Sequence, residues 1–137
     1  MIADLESAGK EAQWLGLEGT EPKNMYIAVF VPSLTRDGEP VDHGYWRDEA
    51  VRTMSKLFGG ATALTGSGGW LDEERGARIK QETVSVVFSF FRAADWNEHN
   101  VLQLRRFLQR MGREAEQGEI GLYSKGRYWP MRRFDNE

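Results

Sequence analysis

The stretch from Leu57 to Phe91 constrains the fold more than any other. Leu57 and Phe58 close an apolar helical face, Gly59-Gly60 stop it, and Ala61 to Trp70 follow as a glycine-rich strand. A glycine pair ends a helix because it enters the left-handed region without a Cβ clash. Gly66, Gly68 and Gly69 remove side chains from the next segment, which predicts a bent or bulged strand. Leu71 to Lys80 reads as a charged turn. From Glu82 to Phe91 the chain then alternates. Val84, Val86, Phe88 and Phe90 form one face, and Thr83, Ser85, Val87, Ser89 and Phe91 form a half-polar one. That period of two belongs to a strand.

The flanking segments complete the pattern. Met25 to Val31 is apolar on both faces, so it predicts a strand at the centre of its sheet. Pro32 ends it, and Arg36 to Pro40 reads as a loop. Asp42 suits a helix N-cap, and Trp46, Ala50, Met54, Leu57 and Phe58 then mark one helical face. Asp95-Trp96-Asn97-Glu98 resembles a capping box ahead of a second helical face of Val101, Leu104, Leu108, Met111 and Ala115, which Gly118 breaks. Glu119–Tyr123 and Arg127–Met131 predict a hairpin through Ser124-Lys125-Gly126. The order is β-α-β-β-α-β with a short extra C-terminal strand, an α+β chain on the ferredoxin-like plan, with an antiparallel sheet and two helices on one face. Its first and third strands are central in that plan, and here those are the two most apolar strands. Residues 1–23 stand apart as an N-terminal extension, a weak helix with Ile2, Leu5 and Ala12 on one face, broken by Gly9 and Gly16, ahead of a domain over 24–137. Trp14, Leu15 and Leu17 are its candidate docking residues.

The composition excludes several classes of function. At 137 residues the chain makes one domain that can bury a core without staples. It has no cysteine, which removes disulfides, thiolate zinc sites and cysteine nucleophiles. A net charge of −3 points to neither nucleic acid nor a membrane surface. No apolar run approaches the roughly 18 residues of a membrane span. The start lacks the basic and apolar regions of a signal peptide, so a cytoplasmic location is expected.

Candidate chemistry is sparse. Gly66-Ser67-Gly68-Gly69 lacks the Gly-Lys-Ser/Thr of a phosphate loop and is followed by Asp72, Glu73 and Glu74. Those carboxylates lack the alternating spacing of a calcium loop. His43 and His99 each open a helix and share no zinc spacing. No serine has a base at recognisable spacing, so no catalytic residue, metal site or cofactor is assigned. A dyad assembled from distant parts, such as His99 with Glu119, stays open because such sites are spatial. Glu82 begins an apolar strand and calls for a partner such as Arg75 or Arg78. Trp70 beside the glycines is the best functional aromatic. The sheet face opposite the helices is read as Tyr26, Ala28, Phe30, Val87 and Phe91, too apolar to stay in water. The resulting ligand-binding set is Trp70, Glu82, Tyr26, Phe30, Arg75 and Glu119. Arg106, Arg110 and Arg113, with Arg105, form an arginine-rich helix face that would suit nucleic acid, with Tyr128 and Trp129 for stacking, but acidic residues are interleaved.

Residues 24 to 124 resemble an uncharacterised bacterial family of small α+β proteins, a domain of unknown function. The shared features are Gly38-Glu39-Pro40, the early helical Trp46, Phe58-Gly59-Gly60-Ala61-Thr62, a shifted Gly-x-Gly-x-Trp at Gly66 to Trp70, Glu82, and Gln117-Gly118-Glu119. The resemblance implies a ferredoxin-like fold and a dimer, and no activity. The leading expectation is a non-enzymatic binding or assembly module, a homodimer through the open sheet face and a candidate accessory subunit of a larger system, with a heterologous partner or small molecule possible and no membrane. The alternative is a small enzyme of the dimeric α+β barrel kind, with a pocket near Trp70 and Glu82.

Overall fold

A computed structural model describes residues 2–135, the first five of them by backbone alone. Its elements are α1 (Ile2–Leu15), β1 (Met25–Val31), α2 (His43–Phe58), β2 (Thr62–Asp72), β3 (Arg78–Phe91), α3 (Glu98–Glu114), β4 (Ile120–Ser124) and β5 (Arg127–Met131). The five strands form one antiparallel sheet in the order β2-β3-β1-β4-β5. The ferredoxin-like plan is therefore present, with β1 and β3 inside the sheet and β5 added beyond β4.

The helices cover the face carrying Ile27, Val29 and Val31. Each of these is fully buried with Val87, Phe91, Met54, Leu108 and Met111. Phe91 stacks on Phe58 with ring centroids 4.2 Å apart, and Trp96 continues the stack 5.9 Å from Phe91. This reverses one face assignment. Val29 pairs with Val87 and Met25 with Phe91, so the half-polar side of β3 is the core side. The open face holds Tyr26, Ala28 and Phe30 with Val84, Val86, Phe88 and Phe90. The hydroxyls that made the core side look solvated are satisfied internally. Ser89 Oγ donates to the Gly60 carbonyl at 2.7 Å, and Ser85 is tied to His43 and Thr65.

Several further expectations need correction. The β2–β3 hairpin is longer than the sequence suggested, because Asp72 still pairs with Arg78 and the turn is confined to Glu73–Ala77. Its register runs unbroken from Thr62↔Phe88 to Asp72↔Arg78, so β2 carries no bulge despite its glycines. The N-cap of α3 is Asn97, whose side chain accepts from the Asn100 amide at 2.9 Å, and Asp95 sits in a short 3₁₀ turn before it. That helix also stops earlier than Gly118: Glu116 adopts φ 49° and the chain turns there. Other signals hold as read. Asp42 caps α2, Gly59 ends it at φ 91°, and the β4–β5 turn places Lys125 and Gly126 at positive φ. α1 passes through Gly9 without a break and stops before Gly16. Trp14 and Leu15 at its end are exposed, and Glu21 ties the linker to Arg92 at 3.4 Å. The face expected for Ile2 and Leu5 falls on side chains outside the described ones.

Candidate functional site

The long hairpin makes a concavity. Its outer half runs past the end of β1, so Leu64, Trp70, Lys80 and Glu82 face Phe30 and the loop after Val31 on one side, and Gly121, Tyr128 and Glu119 on the other. The cavity between them measures about 830 Å³. That is the size of a cofactor or small-molecule site. Its walls are apolar at Phe30, Leu64, Trp70, Val84, Val86 and Tyr128.

Glu82 is the polar centre. Its Oε2 accepts from the Leu34 amide at 2.8 Å, the Ser33 amide at 3.1 Å and the Ser33 hydroxyl at 3.3 Å. Neither Arg75 nor Arg78 serves it. Arg75 instead pairs with Asp72 at 3.7 Å, on the hairpin tip and outside the cavity wall. Among the described residues no donor reaches Oε1 and no cation pairs with this carboxylate. Amide and hydroxyl dipoles hold it in place of a direct ion pair, and Arg36, Lys80 and Arg132 line the same cavity. The loop that supplies those donors is itself fixed. His43 Nδ1 donates to the Pro32 carbonyl at 2.8 Å, and Gln117 Nε2 donates to the Leu34 carbonyl at 2.7 Å.

The second carboxylate is different. Glu119 is neutralised by Arg132, at 3.1 Å to Nη2 and 3.2 Å to Nε, and accepts from the Tyr128 hydroxyl at 3.4 Å. Burial, then the charge and hydrogen bond of Glu119, hold the Tyr128 phenol above its ordinary value, partly offset by Arg132. Tyr128 lies flat against the missing side chain of Gly121: a Cβ there would meet its hydroxyl and ring within 2.9 Å. It also meets Phe30 edge-on at 5.8 Å. Lys80, opposite Trp70 across the hairpin, places its ammonium 5.7 Å from the Trp70 ring centre.

The sequence-derived residues therefore divide. Trp70, Glu82, Phe30 and Glu119 share the cavity. Tyr26 lines an adjoining hollow of about 640 Å³ with Tyr123, and the two hollows share Phe30 and Val86. The arginine face of α3 is engaged elsewhere. Arg110 donates to Glu49 at 2.8 Å and to the Tyr45 hydroxyl at 3.2 Å, and stacks 4.9 Å over Trp46. Burial opposes its charge, but those hydrogen bonds outweigh burial and raise its pKa. Arg113 donates to the Phe134 carbonyl, and Arg106 is exposed on the same helix. Two of the three arginines offered for nucleic acid thus serve the chain itself. Ser33, Leu34, Lys80 and Arg132 were missed as site residues. No local pattern marks them, because Ser33 and Leu34 meet Glu82 from 49 and 48 residues away, Arg132 meets Glu119 from 13 residues away, and Lys80 meets Trp70 only through the hairpin register.

A serine–histidine contact, unread in the sequence, lies behind the sheet. Because the Pro32 carbonyl can only accept, Nδ1 of His43 carries the hydrogen and Nε2 accepts from Ser85 at 2.7 Å. Thr65 then donates to Ser85 at 2.7 Å. Ser85 is fully buried, so this contact joins α2 to the hairpin and has no substrate access. His99 is exposed. Among the described residues no group of three potential metal ligands forms, and no helix is long and apolar enough to cross a membrane.

No protein-family model and no curated protein matches this chain. Solved structures do share its fold. A phage SAM lyase in complex with S-methyl-5′-thioadenosine superposes with a TM-score of 0.58 at 8% identity, over 85% of this chain and 95% of that one. A phage SAM lyase in the apo state matches at 0.53 and 8% identity, over 82% and 92%. At this identity the superposition shows a shared fold alone.

Proposed function

We propose that this protein is a small enzyme with the protomer fold of the dimeric α+β barrel proteins, whose open sheet face binds an adenine nucleoside carrying a 5′ thioether or sulfonium group. The observation that carries the reading is Glu82, a carboxylate without an ion-pair partner among the described residues, fixed by three donors on one oxygen inside an aromatic-walled cavity of about 830 Å³. Such a site favours a ligand with a cationic centre on an apolar body. A cation is attracted both to the carboxylate and to aromatic faces, of which Trp is the best. A sulfonium nucleoside has that form, and a purine ring can lie against Trp70 or Tyr128. The likeness of fold to a lyase holding a methylthioadenosine supports the ligand class. The uncharacterised family suggested by the sequence motifs is compatible with this reading.

Isothermal titration with S-adenosylmethionine and S-methyl-5′-thioadenosine tests it, followed by chromatographic assay of turnover. Saturable binding of the sulfonium is expected, with Glu82→Gln weakening the sulfonium about tenfold or more, the worth of one charge-assisted contact, and leaving the neutral thioether nearly unchanged. Absence of saturable binding of either compound at millimolar concentration overturns the proposal. Binding without turnover removes the enzymatic part alone.

A second reading, a non-enzymatic assembly module, is favoured by the other half of the open face. There Tyr26, Phe88, Phe90 and Tyr123 pack within 6 Å of Tyr26 or each other, yet Phe90 is 54% exposed. Loss of self-association in Phe90→Ser would support it.

A further inference from the structure

The outer edge of the sheet points to a specific partner surface. β2 is an edge strand of eleven residues. From Thr62 to Leu71 it holds no charge and no proline, and its ladder to β3 is regular throughout. Natural edges are normally guarded by charge, proline, bulges or shortness, because an unguarded edge is a template for another strand. The opposite edge obeys this rule. β5 has five residues, begins at Arg127 and contains Pro130, whose missing N–H is tolerated only where it faces outward. β2 uses none of these devices before its last residue, Asp72. It also exposes Leu64 at 61%, Trp70 at 41% and Leu71 at 50%.

The residue order of β2 decides what can pair with it. It is nearly symmetric about Ser67: Gly66 balances Gly68, Thr65 balances Gly69, Leu64 balances Trp70, Ala63 balances Leu71 and Thr62 balances Asp72. Two copies of one strand related by a two-fold axis at Ser67 pair antiparallel in that arrangement. Every apolar residue then meets an apolar residue, and the glycines meet at the centre, where two backbones approach. Two-fold contacts of this self-complementary kind close upon themselves. A β2-on-β5 contact would instead be head-to-tail, making a ring or a filament, and would meet the gap at Pro130.

We propose that two copies of this chain join edge to edge through β2, in a register centred on Ser67, to make one ten-stranded sheet. The contact differs from a dimer through the open face and leaves the cavity uncovered. It also sets Leu64 opposite the partner's Trp70 on the cavity side of the sheet, so each copy lends an apolar residue to the rim of the other's site.

The chain has no cysteine, which makes cross-linking a clean test of register. Directly opposed residues of an antiparallel pair have Cβ atoms about 4.5–5.5 Å apart, near the reach of a disulfide after slight adjustment. Ser67→Cys should give a covalent dimer under mild oxidation. Leu64→Cys should not, because its own copy lies six residues away along the partner strand, roughly 20 Å. Leu64→Cys with Trp70→Cys should restore the cross-link. In sedimentation velocity the unmodified protein should run at twice 15.7 kDa. Gly66→Lys, whose new side chain meets nothing within 4 Å, combined with Ser67→Lys should make it monomeric, while Trp129→Lys on the other edge should not. A monomeric unmodified protein up to its solubility limit overturns the proposal. So does cross-linking of Leu64→Cys alone, or a dimer lost in Phe90→Ser and kept in the lysine variant.

Discussion

Replacing Glu82 separates its two roles, as an anchor for the 33–34 loop and as a charge facing the cavity. In Glu82→Ala the amides of Ser33 and Leu34 and the Ser33 hydroxyl lose their acceptor at once. A hydrogen bond to a charged group is worth about 1.5–3 kcal/mol when buried. Here the cavity is open on one side, so water can reach part of the loop and return some of that loss. A total of about 1.5 kcal/mol is expected rather than the sum of three such bonds. Glu82→Gln keeps an acceptor oxygen and loses only the charge, so about 0.5–1 kcal/mol is expected. For a chain of this size 1.5 kcal/mol corresponds to a drop in Tm of about 5 °C, and to a urea midpoint lower by about 0.7 M at an m-value near 2 kcal/mol/M. Urea unfolding followed by tryptophan fluorescence and by circular dichroism measures both, with coincident transitions and an unchanged m-value as the check on two-state behaviour. The reasoning is refuted if Glu82→Ala stays within about 0.3 kcal/mol of the unmodified protein, or if Glu82→Gln is as damaging as Glu82→Ala. The first result would mean that water serves the loop as well as the carboxylate does. The second would mean that the charge, and not the acceptor, holds it.

Three further outcomes follow from the same geometry. Ser85→Ala leaves His43 Nε2 and the Thr65 hydroxyl without their shared partner at a fully buried position, and should cost about 1–3 kcal/mol in denaturant unfolding, with Ser85→Thr not restoring it. Asn97→Ala removes the cap of α3 and should cost about 1 kcal/mol, read the same way, whereas Asp95→Ala should cost less. Tyr128 should ionise above the ordinary phenol value in a phenolate absorbance titration, since burial and Glu119 raise its pKa, and that late step should vanish in Tyr128→Phe. The sign for stability follows: the folded state holds this proton longer than the unfolded chain. Its contribution is therefore complete below the ordinary phenol value and is lost as pH rises through the folded one.

The sequence by itself determined the element order and most element ends. It did so because those signals are local: the apolar run of β1, the alternation in β3, the Asp42 cap, the stop at Gly59, and the Lys125-Gly126 turn each depend on residues close by in the chain. It also placed Trp70, Glu82, Phe30 and Glu119 among the candidates, from a glycine-cleared strand and a charge opening an apolar one. The tertiary structure decided which face of β3 is the core. Both faces carry large apolar residues, and only the pairing of β1 with β3, together with Ser85 and Ser89 finding partners on other elements, sends the half-polar side inward. It decided the length of the hairpin as well, because Leu71 to Lys80 is polar enough to read as a turn until cross-strand pairing extends it. The nature of Glu82 was likewise beyond the sequence. Nearby arginines suggested an ion pair, but the strand direction carries Arg75 to the hairpin tip and brings the amides of Ser33 and Leu34 to the carboxylate from nearly fifty residues away. Neutral dipoles thus hold Glu82 where a cation was expected, and no local pattern in the chain could have announced it.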